Sequence, residues 1–360
     1  MNPTPLSELT TTGVGGVATH LVTAATNDEL VTAVREAVDA GEPWCILAGG
    51  SNSLFSDEGF DGTVILVRTT GTERQPASAE SAETLVRVAA GENWDDFVAF
   101  TVKQGLAGVE ALSGIPGSVG ASPIQNIGAY GQDVSGSIRS VEFYDADAGQ
   151  IVQLTNTELE LGYRSSALKT GYRNGVYRVA RPGAVLSVTF ALNSNADGLS
   201  EPVAYGQLAD KLGVQVGERA GLAAVREAVL ELRASKGMVY SSTDLDSHST
   251  GSFFMNPVVS ATFAKSLPDD APQWPAGELN QIELVKLSAA WLIEHAGIKK
   301  GFSLPGSRAA ISSKHSLAIT NRGGASSEDV AQLARFVLQR VQSEAGVNLL
   351  PEPVLYGIEL

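Results

Sequence analysis

The sequence predicts an α+β fold on three observations. Helix-period and strand-like apolar segments alternate through the first half, a glycine-rich loop follows a strand end, and further helices and a strand occupy the C-terminal third. Because single cores stop growing near ~250–300 residues, a chain of 360 is expected to divide into two or three sub-domains. Hydrophobic residues make up 43% and charged residues 18%, enough apolar material to offset chain entropy without an extended disordered region. No repeat of 20–50 residues is visible, which removes solenoids and propellers.

Residues 26–41 read as a helix: Thr26 and Glu29 form a capping box, Leu30, Val34, Ala37 and Val38 share a face, and Gly41 ends it. Strands are expected at 44–48 and 63–67, with Gly49-Gly50-Ser51-Asn52-Ser53 after the first. A strand at 85–89 leads to a helix that Asn93 caps, with Trp94, Phe97, Val98 and Thr101 on one face and Gly105 as its stop. The stretch from Gly114 to Gly136 is too long for a casual turn and too poor in charge for a disordered linker, so it reads as a loop buried against a ligand. Strands follow at 138–144 and 184–192. After a connecting segment at 193–221, a second domain is expected, with helices at 219–236 and 281–296 and a strand at 317–320. A last amphipathic helix presents Val330, Leu333, Val337 and Val341 as a packing stripe before Gly346.

A net charge of −15 argues against a phosphate-backbone binder, which needs a broad Lys/Arg surface, so no nucleic-acid partner is expected. An anionic ligand would have to be held locally, by backbone N–H groups and a few cationic side chains. Cys45, the only cysteine, lies in the apolar run 44–48 and reads as a structural thiol. His20, His248, His295 and His315 show no ligand spacing, so no metal site is expected. The N-terminal residues lack a basic segment followed by an apolar one, and no run reaches the ~18 apolar residues of a membrane span; a cytoplasmic protein without a membrane partner is expected. Gly13-Val14-Gly15-Gly16-Val17-Ala18 satisfies the dinucleotide-binding expression, but no strand precedes it. A Walker A loop and a G-x-S-x-G elbow are both missing.

Two loops are more specific. In Leu47-Ala48-Gly49-Gly50-Ser51-Asn52-Ser53-Leu54, small residues directly after a buried strand can converge their N–H groups around phosphate oxygens, although the loop alone could be an ordinary turn. The second, 113–131, places glycines wherever a planar or charged ligand could press on the backbone. Together with Thr12-Gly13-Val14-Gly15-Gly16, Tyr163-Arg164-Ser165-Ser166, Gly251-Ser252-Phe253-Phe254-Met255-Asn256-Pro257, Ala289-Ala290-Trp291-Leu292-Ile293 and Pro351-Glu352-Pro353, they form seven ordered motifs. By these motifs nearly the whole chain resembles the UDP-N-acetylenolpyruvylglucosamine reductase (UDP-N-acetylmuramate dehydrogenase) family, in its longer subtype.

The resemblance implies an α+β fold with a two-subdomain FAD-binding domain of vanillyl-alcohol-oxidase (PCMH) type and a C-terminal α+β substrate domain. The corresponding boundaries are 1–72 and 73–218 for the FAD subdomains and 219–345 for the substrate domain, with 346–360 returning Glu352 to the active site. It also implies non-covalent FAD, NADPH as hydride donor, and reduction of UDP-N-acetylglucosamine enolpyruvate to UDP-N-acetylmuramate for peptidoglycan. Cofactor contacts would come from Gly49, Gly50, Ser51, Asn52 and Ser53 in the first loop. In the second they would come from Gly114, Pro116, Gly117, Gly120, Ala121, Ser122, Asn126, Gly128, Ala129 and Tyr130.

Reduction of an enolpyruvyl group leaves negative charge on the carboxylate as an aci-carboxylate. The rigid fork of Arg164 can address both of its oxygens. Family resemblance makes Glu352, restricted between two prolines, the second electrophilic group, with a proton to share. It assigns Ser252 the protonation of the adjacent carbon, and Tyr205, Lys236 and Asn256 the holding of the substrate or its diphosphate. Two other readings stay open on the residues: an FAD-dependent oxidase of the same fold, and a non-catalytic nucleotide-sugar-binding protein.

Overall fold

A computed structural model describes residues 4–75, 83–173, 176–194 and 197–360, in mixed helix and strand as an α+β chain requires. Thr26 Oγ1 accepts the Glu29 N–H at 3.2 Å and Glu29 reaches back to the Ala25 N–H at 2.8 Å, so the first long helix spans Asn27–Ala40 and ends at Gly41 with φ 68°. Leu30, Val34 and Ala37 are buried, but Val38 is 41% exposed. One residue past Ala37 is a 100° rotation, which carries Val38 off the stripe it was expected to join.

Contacts group the chain into two units, each discontinuous in sequence. One holds His20–Gly49 and Asp61–Ser235; the other holds the residues up to Thr19, Gly50–Phe60 and Lys236–Leu360. They are called here the loop unit and the C-terminal unit.

In the loop unit, Trp44–Leu47 runs parallel to Phe60–Val67, with Ala18–Ala24 on the other side. A six-stranded sheet carries Gln150–Thr155, Ile138–Asp145, Gly183–Ser194, Glu83–Ala89 and Thr72–Arg74 in that order, and Leu106–Ala107 pairs with the end of the long strand. Asn93 Oδ1 accepts the N–H groups of Asp95 and Asp96, starting the helix Trp94–Lys103, whose Trp94, Phe97, Val98 and Thr101 are all buried as expected. Trp94 and Phe97 meet Phe190 at ring distances of 6.0 and 4.7 Å, fastening the helix to the sheet. The helix Leu222–Ser235 packs with Gly206–Leu212 in a smaller apolar cluster around Val225 and Val229.

The C-terminal unit is built around Phe253, Phe254, Leu292, Ile293 and the full stripe Val330, Leu333, Val337 and Val341. The last helix, Ser327–Ala345, has a Ser326/Asp329 capping box and a left-handed Gly346 at its end. The helix expected over 281–296 is instead a strand, Ile282–Leu287, followed by a helix, Ala289–His295. The cause is local. Asn280 and Gln281 both take positive φ, 50° and 65°, closing a two-residue hairpin with Gln273–Leu279, and Ser288 then caps the helix through the Trp291 N–H. Among the described residues no helix is long and apolar enough to cross a membrane.

Candidate active site

The loop unit carries Gly49, Arg164, Tyr205 and the whole 114–130 loop. The main chains at Gly49 and Gly117 approach so closely that a Cβ on Gly49 would lie 2.7 Å from the Gly117 Cα. A Cβ on Gly120 would lie 2.5 Å from the Ala90 Cβ, and one on Gly131 2.8 Å from that of Ala204. Side chains are excluded here by backbone and by short neighbours, so these glycines are requirements of packing. Asp95 anchors the loop's start: its Oδ1 accepts the Gly114 N–H at 2.6 Å, and its two oxygens take Arg226 at 2.6 and 2.8 Å. Burial works to raise the Asp95 pKa, but the Arg226 and Gly114 hydrogen bonds outweigh it and hold the carboxyl below its usual range.

Arg164 is fastened to the same loop. Its guanidinium donates to the Asn126 carbonyl at 3.2 Å and to the Gly128 carbonyl at 2.8 Å, with Cζ 5.6 Å from the Tyr163 ring centre. The loop holds its motif in return, since Asn126 Nδ2 donates to the Gly162 carbonyl at 3.0 Å and Ser166 Oγ to that of Ile124 at 2.5 Å. Asn126, Tyr130 and Arg164 all have positive φ, at 48°, 48° and 52°. Non-glycine residues rarely take that conformation, and such strain gathers where surrounding structure enforces it for function. Ser122 and Asn126 are buried, while Pro116, Ala121, Gly128, Ala129 and Tyr130 are partly exposed. Tyr130 meets the half-exposed Tyr205 edge to face at 5.6 Å, and burial pushes its phenol pKa up.

Sequence reasoning missed Asp95, Arg226 and Arg233. The Nε of Arg233 is out of solvent contact; burial pulls its pKa down to about 10, Arg164 adds to the effect, and Tyr130 and Asp95 oppose it. Its place three residues before Lys236 was the available signal.

The C-terminal unit carries Gly50, Ser51, Asn52, Ser53, Lys236, Ser252, Asn256 and Glu352. Gly50, at φ 63°, lies against Leu9: a Cβ would come within 1.9 Å of the Leu9 carbonyl oxygen. Asn52 Nδ2 donates to the Glu352 carbonyl at 3.4 Å, the Val354 N–H donates to the Asn52 carbonyl at 2.9 Å, and Ser53–Phe55 pairs in parallel with Val354–Tyr356. The first loop is thereby clamped to the Glu352 segment. That segment is also paired with the Ser252 motif, through Glu352 N–H to the Phe253 carbonyl at 2.9 Å and Met255 N–H to the Leu350 carbonyl at 2.9 Å. Ser252 and Glu352 therefore lie on paired main chains; Arg164 belongs to the other unit. Asn256 Oδ1 accepts the Ala289 N–H at 2.9 Å. Gly13–Gly16 follows a 3-10 turn at Leu6–Glu8, and a Cβ on Gly16 would meet the Asp57 carbonyl oxygen at 2.3 Å and one on Gly15 the Phe55 Cβ at 2.9 Å, so these two glycines serve close packing.

A dinucleotide cofactor fits what is present. In the loop unit, main chain at Gly49, Gly117 and Gly120 is left bare of side chains, as close approach to a phosphate requires, and a Cβ on Gly49 would strike the Gly117 Cα. No group of three or more His, Cys, Asp or Glu that could hold a metal occurs among the described residues. Gly49→Ala should purify with at least about tenfold weaker FAD retention, because a methyl 2.7 Å from the Gly117 Cα must push the two main chains apart. Titration of the stripped protein with FAD measures this, and parent-like affinity would show that the approach of the two loops is not needed.

Comparison with known proteins gives matches over both units. A sequence model of an FAD-binding domain matches residues 18–155, and one of the UDP-N-acetylenolpyruvoylglucosamine reductase C-terminal domain matches 243–356. A UDP-N-acetylenolpyruvoylglucosamine reductase of Leifsonia xyli is 50% identical, covering 100% of both chains. One of Streptomyces coelicolor is 46% identical over 100% of this chain and 91% of its own. Among solved structures, the UDP-N-acetylenolpyruvylglucosamine reductase of Thermus caldophilus superposes with a TM-score of 0.63 at 25% identity, covering 98% of this chain and 97% of that one.

Proposed function

The chain belongs to the UDP-N-acetylenolpyruvoylglucosamine reductase family, and from that membership we propose that Arg164, Ser252 and Glu352 carry its chemistry. It is an FAD-containing oxidoreductase that uses NADPH to reduce the enolpyruvyl group of UDP-N-acetylglucosamine enolpyruvate to UDP-N-acetylmuramate in peptidoglycan precursor synthesis. When bound, FAD relays two electrons from NADPH to the substrate double bond.

The remaining work falls to side chains and backbone. The loops at 49–53 and 114–130 hold the cofactor through main-chain N–H groups, and neither contains a histidine or cysteine for covalent attachment. Arg164 stabilises the negative charge that develops on the substrate carboxylate, and Glu352 is the second electrophilic group, sharing a proton with that carboxylate. Ser252 delivers the proton to the adjacent carbon. Tyr205, Lys236 and Asn256 hold the substrate and its diphosphate. The proposed organisation is two FAD subdomains at 1–72 and 73–218 and a substrate domain at 219–345, with 346–360 supplying Glu352. The protein works in the cytoplasm, without nucleic-acid or membrane partners.

The observation that carries this reading is the 50% identity over the full length, taken with the side-chain-free approach of main chain at Gly49 and Gly117. The purified protein should be yellow and should turn over NADPH, beyond the one equivalent that reduces its flavin, only when the enolpyruvyl nucleotide sugar is supplied. Absence of flavin uptake, or hydrogen peroxide formation in place of acceptor-dependent NADPH oxidation, would overturn it.

A further inference from the structure

Lys236 and Ser252, both assigned to substrate, are joined by residues 237–251, and this segment folds back on itself. Ser247 Oγ accepts the Ser241 N–H at 2.9 Å and bonds the Ser241 carbonyl at 3.0 Å, while the Tyr240 and His248 rings stack at 5.5 Å. Asp246 is its anchor. Only 8% exposed, it accepts Ser312 Oγ at 2.9 Å, the Ser313 N–H at 2.8 Å and Ser313 Oγ at 2.5 Å, with Arg322 at 3.2 Å. Burial opposes its ionisation, but these donors prevail and keep the carboxyl below its usual range.

The main chain of the same residue packs closely beside Gly237, the neighbour of Lys236. Gly237, directly after the lysine, takes φ 67°, and a Cβ there would lie 2.9 Å from the Asp246 carbonyl oxygen. On the other side, Ser312 Oγ, which donates to Asp246, also accepts the His315 N–H at 3.3 Å. One residue thus packs its main chain against the backbone beside Lys236 and fixes the Ser312–His315 turn through its side chain. The two are electrostatically in touch: burial first, then the charges of Lys236 and Lys300, lower the His315 pKa to about 4 against the opposing Glu294.

We propose that Asp246 is a positioning residue for the nucleotide sugar's diphosphate, holding Lys236 and the Ser312–His315 turn in the one arrangement that receives it. The proposal rests on the reading of Lys236 as a diphosphate ligand. A carboxylate suits the task because all its neighbours are donors. An asparagine there would lose the negative charge these donors satisfy. Its NH2 would face either Ser313 Oγ, which must then turn round to accept, or the Ser313 N–H and Arg322, donor against donor; either way the turn would loosen.

Asp246→Asn should raise the KM for the enolpyruvyl nucleotide sugar about tenfold, the equivalent of one lost charge-assisted hydrogen bond, with kcat within about threefold. Its flavin spectrum and melting temperature serve as controls. Ser313→Ala, which removes a single bond to Asp246, should move KM the same way by less. In the double variant with Lys236→Met, Asp246→Asn should add little beyond Lys236→Met alone, because both act through one contact. A purely structural role would give additive effects and overturn the proposal. So would unchanged KM in Asp246→Asn, or, if that variant fails to fold, unchanged KM in Ser313→Ala. Should Lys236→Met itself leave KM unaltered, the assignment of the lysine fails, an outcome distinct from failure at Asp246 alone.

Discussion

Ser252→Ala is expected to reduce turnover of the enolpyruvyl substrate by about a thousandfold or more, while NADPH still bleaches the bound flavin at the parent rate. The split follows from what the substitution removes. The backbone around the serine is held independently of its hydroxyl: Phe253 N–H donates to the Leu317 carbonyl at 2.8 Å, its own carbonyl accepts Glu352 N–H at 2.9 Å, and Phe254 bridges to Pro351. Phe253 and Phe254 are each 1% exposed in the core of the C-terminal unit, so the peptide cannot swing to compensate. Alanine therefore deletes the proposed proton donor and little else. Positioned proton transfer contributes ~10²–10⁴-fold, which sets the expected scale. Stopped-flow measurement of the two half-reactions separates them, and a variant that reduces substrate at the parent rate would remove Ser252 from the proposed chemistry.

The same pairing shows what could and could not be seen in the chain beforehand. The helix at Asn27–Ala40 was legible from its cap at Thr26 and its stop at Gly41, with Val38 alone off the expected face, and the last helix from the Val330–Val341 stripe before Gly346. At 281–296 the apolar spacing suited either period, and the positive φ of Asn280 and Gln281, residues that carry no glycine signal, decided for a hairpin. The glycine loops were visible as composition, yet the reason for Gly49 was not, because its neighbour Gly117 is distant in sequence. Asp95, Arg226 and Asp246 left no trace at all. A lone acid or arginine looks like solvated surface until folding brings Gly114 to the first of them and Ser312 and Ser313 to the last. Motif reading thus finds the groups proposed to meet ligand and passes over those that aim them.

Arg164→Lys should lower kcat for the enolpyruvyl substrate by about 10²–10³-fold, the scale of one lost donor to developing charge, despite keeping the positive charge. An ammonium is a point donor without the planar fork, and here the fork is already engaged: its two terminal nitrogens bridge the Asn126 and Gly128 carbonyls at 3.2 and 2.8 Å. That bridge opposes the strain of an arginine at φ 52°, a conformation costing about 1–3 kcal/mol. Lysine would inherit the strain with at most one of the bonds. The side chain and the loop would therefore lose their common geometry together, and FAD affinity should fall several-fold alongside kcat. Arg164→Met should match the lysine variant within about threefold if aimed geometry is what the arginine supplies, because misplaced charge stabilises little. Recovery of most of kcat in the lysine variant alone would mean that net charge suffices, and the role proposed for the guanidinium fork would have to be abandoned.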